Sequence, residues 1–189
     1  MENIVKYNLS NVHYAKLVKG ETTTFQKPIP IPGAVKLSLD PNGEPSSFYA
    51  DGIEYYTINN NMGYDGELEL ALIPESFRVD ILSEKEDKNK VLIEDANSEI
   101  GNFALLFEFD GDKKKIRHVL YNCSAGRSKI EGQTNEESKE VQSETLVIKA
   151  RPLKEGPVKG KTGKATTEDT YNNWYKNVYL PVKEEGEEL

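Results

Sequence analysis

The stretch Phe103-Ala104-Leu105-Leu106-Phe107-Glu108-Phe109-Asp110-Gly111-Asp112, followed by Ile116-Arg117-His118-Val119-Leu120-Tyr121-Asn122-Cys123, decides the fold. Phe103, Leu105, Phe107 and Phe109 fall two apart, and Glu108 and Asp110 take the opposite parity. Successive side chains of a strand point to opposite faces, so the spacing predicts a strand over 103–110 with one buried and one wetter face. A second strand is expected over 115–123. Asp110-Gly111-Asp112 reads as the turn between them, because Asp-Gly supplies the positive-φ residues of a tight hairpin.

The same period recurs outward along the chain. Val35, Leu37 and Leu39 alternate with Lys36, Ser38 and Asp40, and Leu68, Leu70 and Leu72 alternate with Glu67, Glu69 and Ala71. Strands are therefore expected over 34–40 and 64–73, with others over 10–18 and 143–150. Asp51-Gly52, between Tyr49 and Tyr55, is a second hairpin signal. The strand–helix rhythm of a parallel α/β fold is missing, which leaves a mainly β, antiparallel sandwich or barrel-like fold with one or two short flanking helices. Pro74-Glu75 opens the first helix, with Phe77 and Ile81 one turn apart. Tyr171, Trp174, Tyr175, Val178 and Tyr179 define the second, with Thr170 as N-cap and Pro181 as stop; this stripe reads as a helix packed on the sheet.

Two stretches read as long loops, which are uncommon in compact domains unless they have a function. Residues 41–63 mix Pro41, Asn42, Gly43, Pro45 and Asn59-Asn60-Asn61 with Phe48, Tyr49, Tyr55 and Tyr56. Residues 124–143 are polar and mostly acidic, whereas 149–164 carry six basic residues against one Glu. One domain is expected over 1–181, with 182–189 an acidic, disordered tail.

At 189 residues the chain is long enough to bury roughly 70% of its unfolded surface without disulfides or metal. With 24 basic and 32 acidic residues the net charge is −8, which disfavours a nucleic-acid-binding role built on phosphate neutralisation. The N-terminus lacks a signal-peptide core and no stretch reaches the ~18 apolar residues of a membrane span, so a soluble protein made in a cytoplasm is expected.

No constellation of residues points to catalysis. Gly156-Pro157-Val158-Lys159-Gly160-Lys161-Thr162 superficially resembles a phosphate loop, but it has three residues between its glycines where four are needed, and Pro157 removes a donor. His118 and Cys123 are five apart on one strand, hence on opposite faces, and His13 is distant. With one cysteine and two histidines, no zinc site is expected. Asp110-Gly111-Asp112 lacks the remaining ligands of a calcium loop. Glu67 with Glu69, and Glu108 with Asp110, read as solvated acids on wet strand faces.

Taken in order, several blocks form a pattern. Ile31-Pro32-Gly33-Ala34-Val35-Lys36-Leu37-Ser38-Leu39-Asp40 leads into Phe48-Tyr49-Ala50-Asp51 and Tyr64-Asp65-Gly66-Glu67-Leu68-Glu69-Leu70-Ala71. Pro74-Glu75-Ser76-Phe77-Arg78, the 103–112 and 116–123 blocks, Glu144-Thr145-Leu146 and Asn173-Trp174-Tyr175 follow. Over residues 5–181 the sequence resembles the major tail proteins of long-tailed, non-contractile phages of Gram-positive hosts. The departures lie in 124–143 and the charged C-terminus.

The resemblance implies a structural virion protein, made in the host bacterial cytoplasm and located in the tail. Six copies would form a ring, and rings would stack as a tube with four strands per subunit in its inner wall. Its implied partners are further copies of itself and the tape-measure, tail-terminator and baseplate or distal tail proteins. Genome DNA would pass through without specific binding, and no cofactor, metal, membrane or catalysis is implied. Such a wall has a circumference of roughly 115–150 Å, wide enough for duplex DNA. On this reading Asp40, Glu67, Glu69, Glu108 and Asp110 line the lumen, with Lys36 as the exception, and repel phosphate. Phe48, Tyr49, Tyr55 and Tyr56 then belong to a ring-stacking arm. The alternative is a β-sandwich carbohydrate-binding module whose Tyr rings and Trp174 stack on sugars.

Overall fold

The alternating segments fold as strands, and every pairing among them is antiparallel. The structure, a computed structural model, describes residues 3–18, 20–134 and 140–182. The acidic tail, from residue 183 on, and residues 135–139 of the polar loop lie outside the described residues. In chain order the elements are β1 (Lys6–Val18), β2 (Thr24–Phe25), β3 (Ile29–Pro30), β4 (Ala34–Asn42), β5 (Ser46–Ala50), β6 (Ile53–Ile58) and β7 (Gly63–Leu70). After these come α1 (Glu75–Asp80), β8 (Lys85–Glu86), β9 (Leu92–Ile93), β10 (Phe103–Gly111), β11 (Ile116–Ala125), β12 (Glu144–Arg151), β13 (Lys159–Lys161) and α2 (Glu168–Asn173).

One sheet runs β2-β1-β10-β11-β12-β7-β4, with β3 added to β1 and β13 to β11. Its two ends come round to the same core: Leu9 of β1 and Leu37 and Leu39 of β4 pack on one cluster with Phe103, Leu105, Phe107, Leu68, Leu146 and Ile148. The sheet is therefore curled on itself, as expected of a sandwich or barrel-like fold. α1 closes one end of this interior. Its Phe77 and Ile81 are buried, and Phe77 stands edge-on to Tyr14 at 5.1 Å and Phe103 at 5.3 Å between ring centres. The Tyr14 hydroxyl donates to Asp80 at 2.8 Å, which ties the helix to β1.

β10 is buried on both faces, not one. Ala104 and Leu106 face outward onto a second cluster with Ala15, Val119, Tyr121, Leu153 and Trp174. The segment after β13 lies over this half of the sheet. α2 is shorter than the aromatic spacing predicts. Thr167, not Thr170, is the N-cap, accepting from the Thr170 amide. The regular helix ends at Asn173, where the Tyr171 carbonyl accepts from Arg117 Nη1 and the Trp174 amide, and the chain goes on as a turn in which the Lys176 and Asn177 amides bond the Asn173 carbonyl. The aromatic stripe still packs on the sheet as expected: Trp174 is buried, donates Nε1 to the His118 carbonyl at 3.4 Å and stacks on Tyr179.

Three local expectations are corrected. The register shifts between Ala34 and Lys36, and this bulge leaves Val35 exposed although Leu37 and Leu39 point inward. β7 ends at Leu70, so Leu72 is exposed; the Ala71 amide bonds Gly33 and the Ile73 amide bonds Glu144 as the chain turns into α1. The β10–β11 reversal occupies 112–115 and uses no positive-φ Asp-Gly pair. Asn3 holds it instead, accepting from the Lys113 and Lys114 amides and donating to the Lys114 carbonyl.

Removing the Phe77 ring opens a cavity between α1 and β10. Phe77→Ala is expected to lower unfolding free energy by about 3–5 kcal/mol. A loss below about 1 kcal/mol in urea denaturation would show that α1 is not part of the core.

Candidate functional site: an open sheet face, a projecting hairpin and a basic-rimmed hollow

Residues 41–63, expected as a loop, form the most conspicuous surface feature. The β4–β7 ladder ends at Asn42–Gly63, and the ribbon resumes as β5–β6. Gly43 (φ +113°) and Gly63 (φ +101°) sit at the break, where a Cβ would lie 2.2 Å from the Asn60 carbonyl oxygen and 2.0 Å from that of Ala150. Only glycine fits both backbone angles and both close approaches. Asp51 (φ +54°) and Gly52 (φ +78°) close the tip as the sequence predicts.

The hairpin has two unlike sides. Phe48 pairs with Tyr56 and Ser46 with Ile58, so their side chains share a face with Ile53 near the tip. The other face carries Ser47, Tyr49, Thr57 and Glu54. Ser47 donates to Glu54 at 2.6 Å and Thr57 donates to it as well, and these bonds hold the carboxyl below the usual carboxylate range. Tyr55 is the extra residue of a bulge between Phe48–Tyr56 and Tyr49–Glu54. Phe48, Tyr49, Ile53, Tyr55, Tyr56 and Ile58 are all between 55% and 68% exposed.

The five acids expected on one wet wall separate into two groups. Asp40, Glu67 and Glu69 lie on the face of β4, β7 and β12 opposite the core, in rows set by Asp40–Asp65–Lys149, Ser38–Glu67–Val147 and Lys36–Glu69–Thr145. Asp65, missed from the sequence, belongs with them. Beside the exception Lys36, β12 brings Lys149 and Arg151 to this face, so its charge is mixed rather than purely acidic. Arg151 lies 2.6 Å from Asp65, and its hydrogen bond holds that carboxyl below the usual range.

Glu108 and Asp110 lie elsewhere. Glu108 is 3% exposed, beneath the C-terminal segment, with Lys115 at 2.8 Å and Arg117 at 3.2 Å. It is therefore a buried ion-pair partner and not a solvated wall residue. Asp110 is half-buried and shares Lys115 at 3.1 Å. Lys115, just before β11, and Arg117, on it, are two apart, and both reach the outer side of β10. Ala104 and Leu106 were the readable sign that this side is covered.

The end of the sheet interior from which the hairpin springs is open. A hollow of about 210 Å³ is lined by Leu37, Leu39, Tyr64, Phe107, Phe109 and His118, with Lys6 and Lys159 at its margin and no carboxylate in its wall. His118 stacks on Phe107 at 5.1 Å between ring centres. Burial, aided by the charges of Lys161, Lys6 and Lys159, pushes its pKa down to about 4. Lys6 stands 4.7 Å from the centre of the Phe109 ring, and Lys159 donates to the Tyr64 hydroxyl.

The remaining chemical candidates are spent in the fold. Residues 156–162 run from a turn into β13, and the Gly156 and Thr162 amides bond the Leu153 and Arg117 carbonyls. Cys123 is fully buried and its thiol is pushed up to about 12. Among the described residues no group of three or more His, Cys, Asp or Glu could hold a metal, and no helix is long and apolar enough to cross a membrane. No protein-family model matches the chain, and no curated protein matches it. The fold and this surface define a curled antiparallel β-domain with an exposed hairpin, an open sheet face and an open, basic-rimmed hollow.

Two outcomes separate these environments. Glu108→Ala leaves Arg117 without its buried partner and should cost about 3 kcal/mol, whereas Glu67→Ala should stay within about 0.5 kcal/mol; equal losses in denaturant titrations would contradict the assignment. For His118, the folded pKa is below the unfolded value of 6.5. The unfolded chain therefore holds more proton between pH 6.5 and about 4, and stability falls as pH is lowered through that window. His118→Phe should flatten the slope in thermal melts across that range; an unchanged slope would place the titration elsewhere.

Proposed function

We propose that the chain is a structural subunit that assembles with copies of itself into stacked rings forming a tube of the phage-tail kind, through which DNA passes. The observation that carries the reading is the β5–β6 hairpin, with six large apolar side chains 55–68% exposed. Four of them, Phe48, Ile53, Tyr56 and Ile58, share one face, and an exposed apolar face of this kind marks a contact site. A two-stranded hairpin is also marginal alone and gains stability when a partner covers it. The hairpin is the stacking arm of this reading, with Phe48, Tyr49, Tyr55 and Tyr56 on it.

The open β4–β7–β12 face is the lumen wall of this reading. Asp40, Glu67 and Glu69 repel phosphate, and Asp65 offsets Arg151, so passing DNA meets little net attraction. Ring number, tail location and the tape-measure, terminator and baseplate partners rest on the sequence resemblance. The carbohydrate-binding alternative draws on the exposed hairpin rings. Trp174 gives it no support, because that side chain is buried in the fold.

Concentrated protein is expected to form rings or tubes in negative-stain images. Deleting 44–60 should abolish stacking with the melting temperature held within a few degrees, since the Asn42–Gly63 pair still closes the ribbon. Persistent monomers under all conditions, or saturable glycan binding lost with Tyr55→Ala, would overturn the reading.

A further inference from the structure

The hairpin and the open hollow match one another. Residues 43–62 contain Glu44, Asp51 and Glu54 and no Lys, Arg or His. The hollow has an apolar floor and a margin of Lys6 and Lys159, with Lys161 beside them, and no carboxylate in its wall. Among the described ion pairs none involves these three lysines. One feature is apolar with negative charge and the other apolar with positive charge. Such complementarity sets register and rejects wrong partners. Apolar cavities on the order of 150 Å³ bind a benzene ring, so a hollow of about 210 Å³ has room for a large side chain from the tip. β4, whose Leu37 and Leu39 form part of the floor, is hydrogen-bonded to β7 alone among the described strands.

We propose that the tip of the β5–β6 hairpin of one copy seats in the open hollow of a second copy, with Ile53 and Phe48 on the apolar floor and Asp51 and Glu54 among Lys6, Lys159 and Lys161. The proposal rests on the assembly reading above and names the acceptor that reading lacks. The occupant is another copy because each chain's own hairpin stands clear of its hollow, with its apolar face exposed. Hairpin and hollow are different patches, so the contact is heterologous and can repeat from copy to copy. Both lie at one end of the molecule: the hairpin root at Gly63 adjoins Tyr64 in the wall of the hollow. Copies standing side by side can therefore pass a hairpin to a neighbour, which gives the arm a part in holding neighbours together as well as in stacking.

The test uses full-length chains. Lys6→Glu with Lys159→Glu should raise the concentration for half-assembly at least about tenfold, and adding Asp51→Lys with Glu54→Lys should restore it. In parallel, a chain carrying Asp51→Cys is mixed with one carrying Lys159→Cys and oxidised with oxidised glutathione; Cys123 is buried and does not compete. Mixed cross-linked dimers should exceed either like-with-like dimer several-fold. This readout holds even if the charge reversals impair folding. Hairpin-to-hairpin dimers in the majority, or no cross-link while Phe48→Ser with Tyr56→Ser still abolishes assembly, would overturn the seat and leave the assembly reading standing. Wild-type chains that stay monomeric without cross-linking would overturn both. Mixed cross-links that stop at closed dimers would support the seat and overturn the tube.

Discussion

Burial of β10 on both faces is the constraint on which the rest of the structure depends. Phe103, Leu105 and Phe107 require the sheet to curl until β4 meets the core that β1 shares. Ala104 and Leu106 require a second covering, which the segment from Leu153 to Leu180 provides. Glu108 continues the outer row, and a carboxylate there is tolerable only with partners. Lys115 and Arg117 supply them, and Arg117 uses a further donor, Nη1, on the Tyr171 carbonyl. The ion pair is thus tied to the C-terminal layer, through the Tyr171 carbonyl and the Tyr171 and Tyr175 rings that lie against Arg117.

That layer makes the outside of the sheet unequal. One half is covered by aromatic side chains, and the other half, across β4, β7 and β12, is left to solvent with interleaved acids and bases. The hairpin arises from the uncovered half, as the distal part of the β4–β7 ribbon. Gly43 and Gly63 let the ribbon break there without ending the pairing, so the arm is joined to the sheet by an ordered root. The hairpin and the core sheet are consequently two ladders joined through one short root.

How much of this was readable followed from how local each cause is. Alternation of Leu37 with Leu39, Leu68 with Leu70, and Phe103 with Leu105 is local, and the strands fell where it put them. Asp51-Gly52 likewise set the hairpin tip, although the prolines and asparagines around it made the segment read as a loop. The failures have non-local causes. A bulge at Val35, the Asn3 side chain across the 112–115 turn, and Arg117 capturing the Tyr171 carbonyl each involve residues that sequence spacing does not connect. The site shows the same division. Asp40, Glu67 and Glu69 share a face because of period two, whereas Glu108 lies beneath a segment that includes Tyr175, far along the chain. Lys149 and Arg151 join Asp65 only through the β7–β12 register.

A hairpin with exposed apolar rings and two open edges invites indiscriminate strand addition, and its construction resists that outcome. β5 and β6 are only five and six residues long, Pro45 precedes the first, and the Tyr55 bulge interrupts the second. Short strands, proline and bulges are the features that blunt an edge against aggregation. Side-chain contacts are then left to decide the partner: an apolar face backed by three carboxylates without a balancing cation. With a net charge of −8, copies repel one another in most orientations. In the assembly proposed above, a surface that combines grease with lysine is where that repulsion would reverse, and the hollow beneath His118 is such a surface.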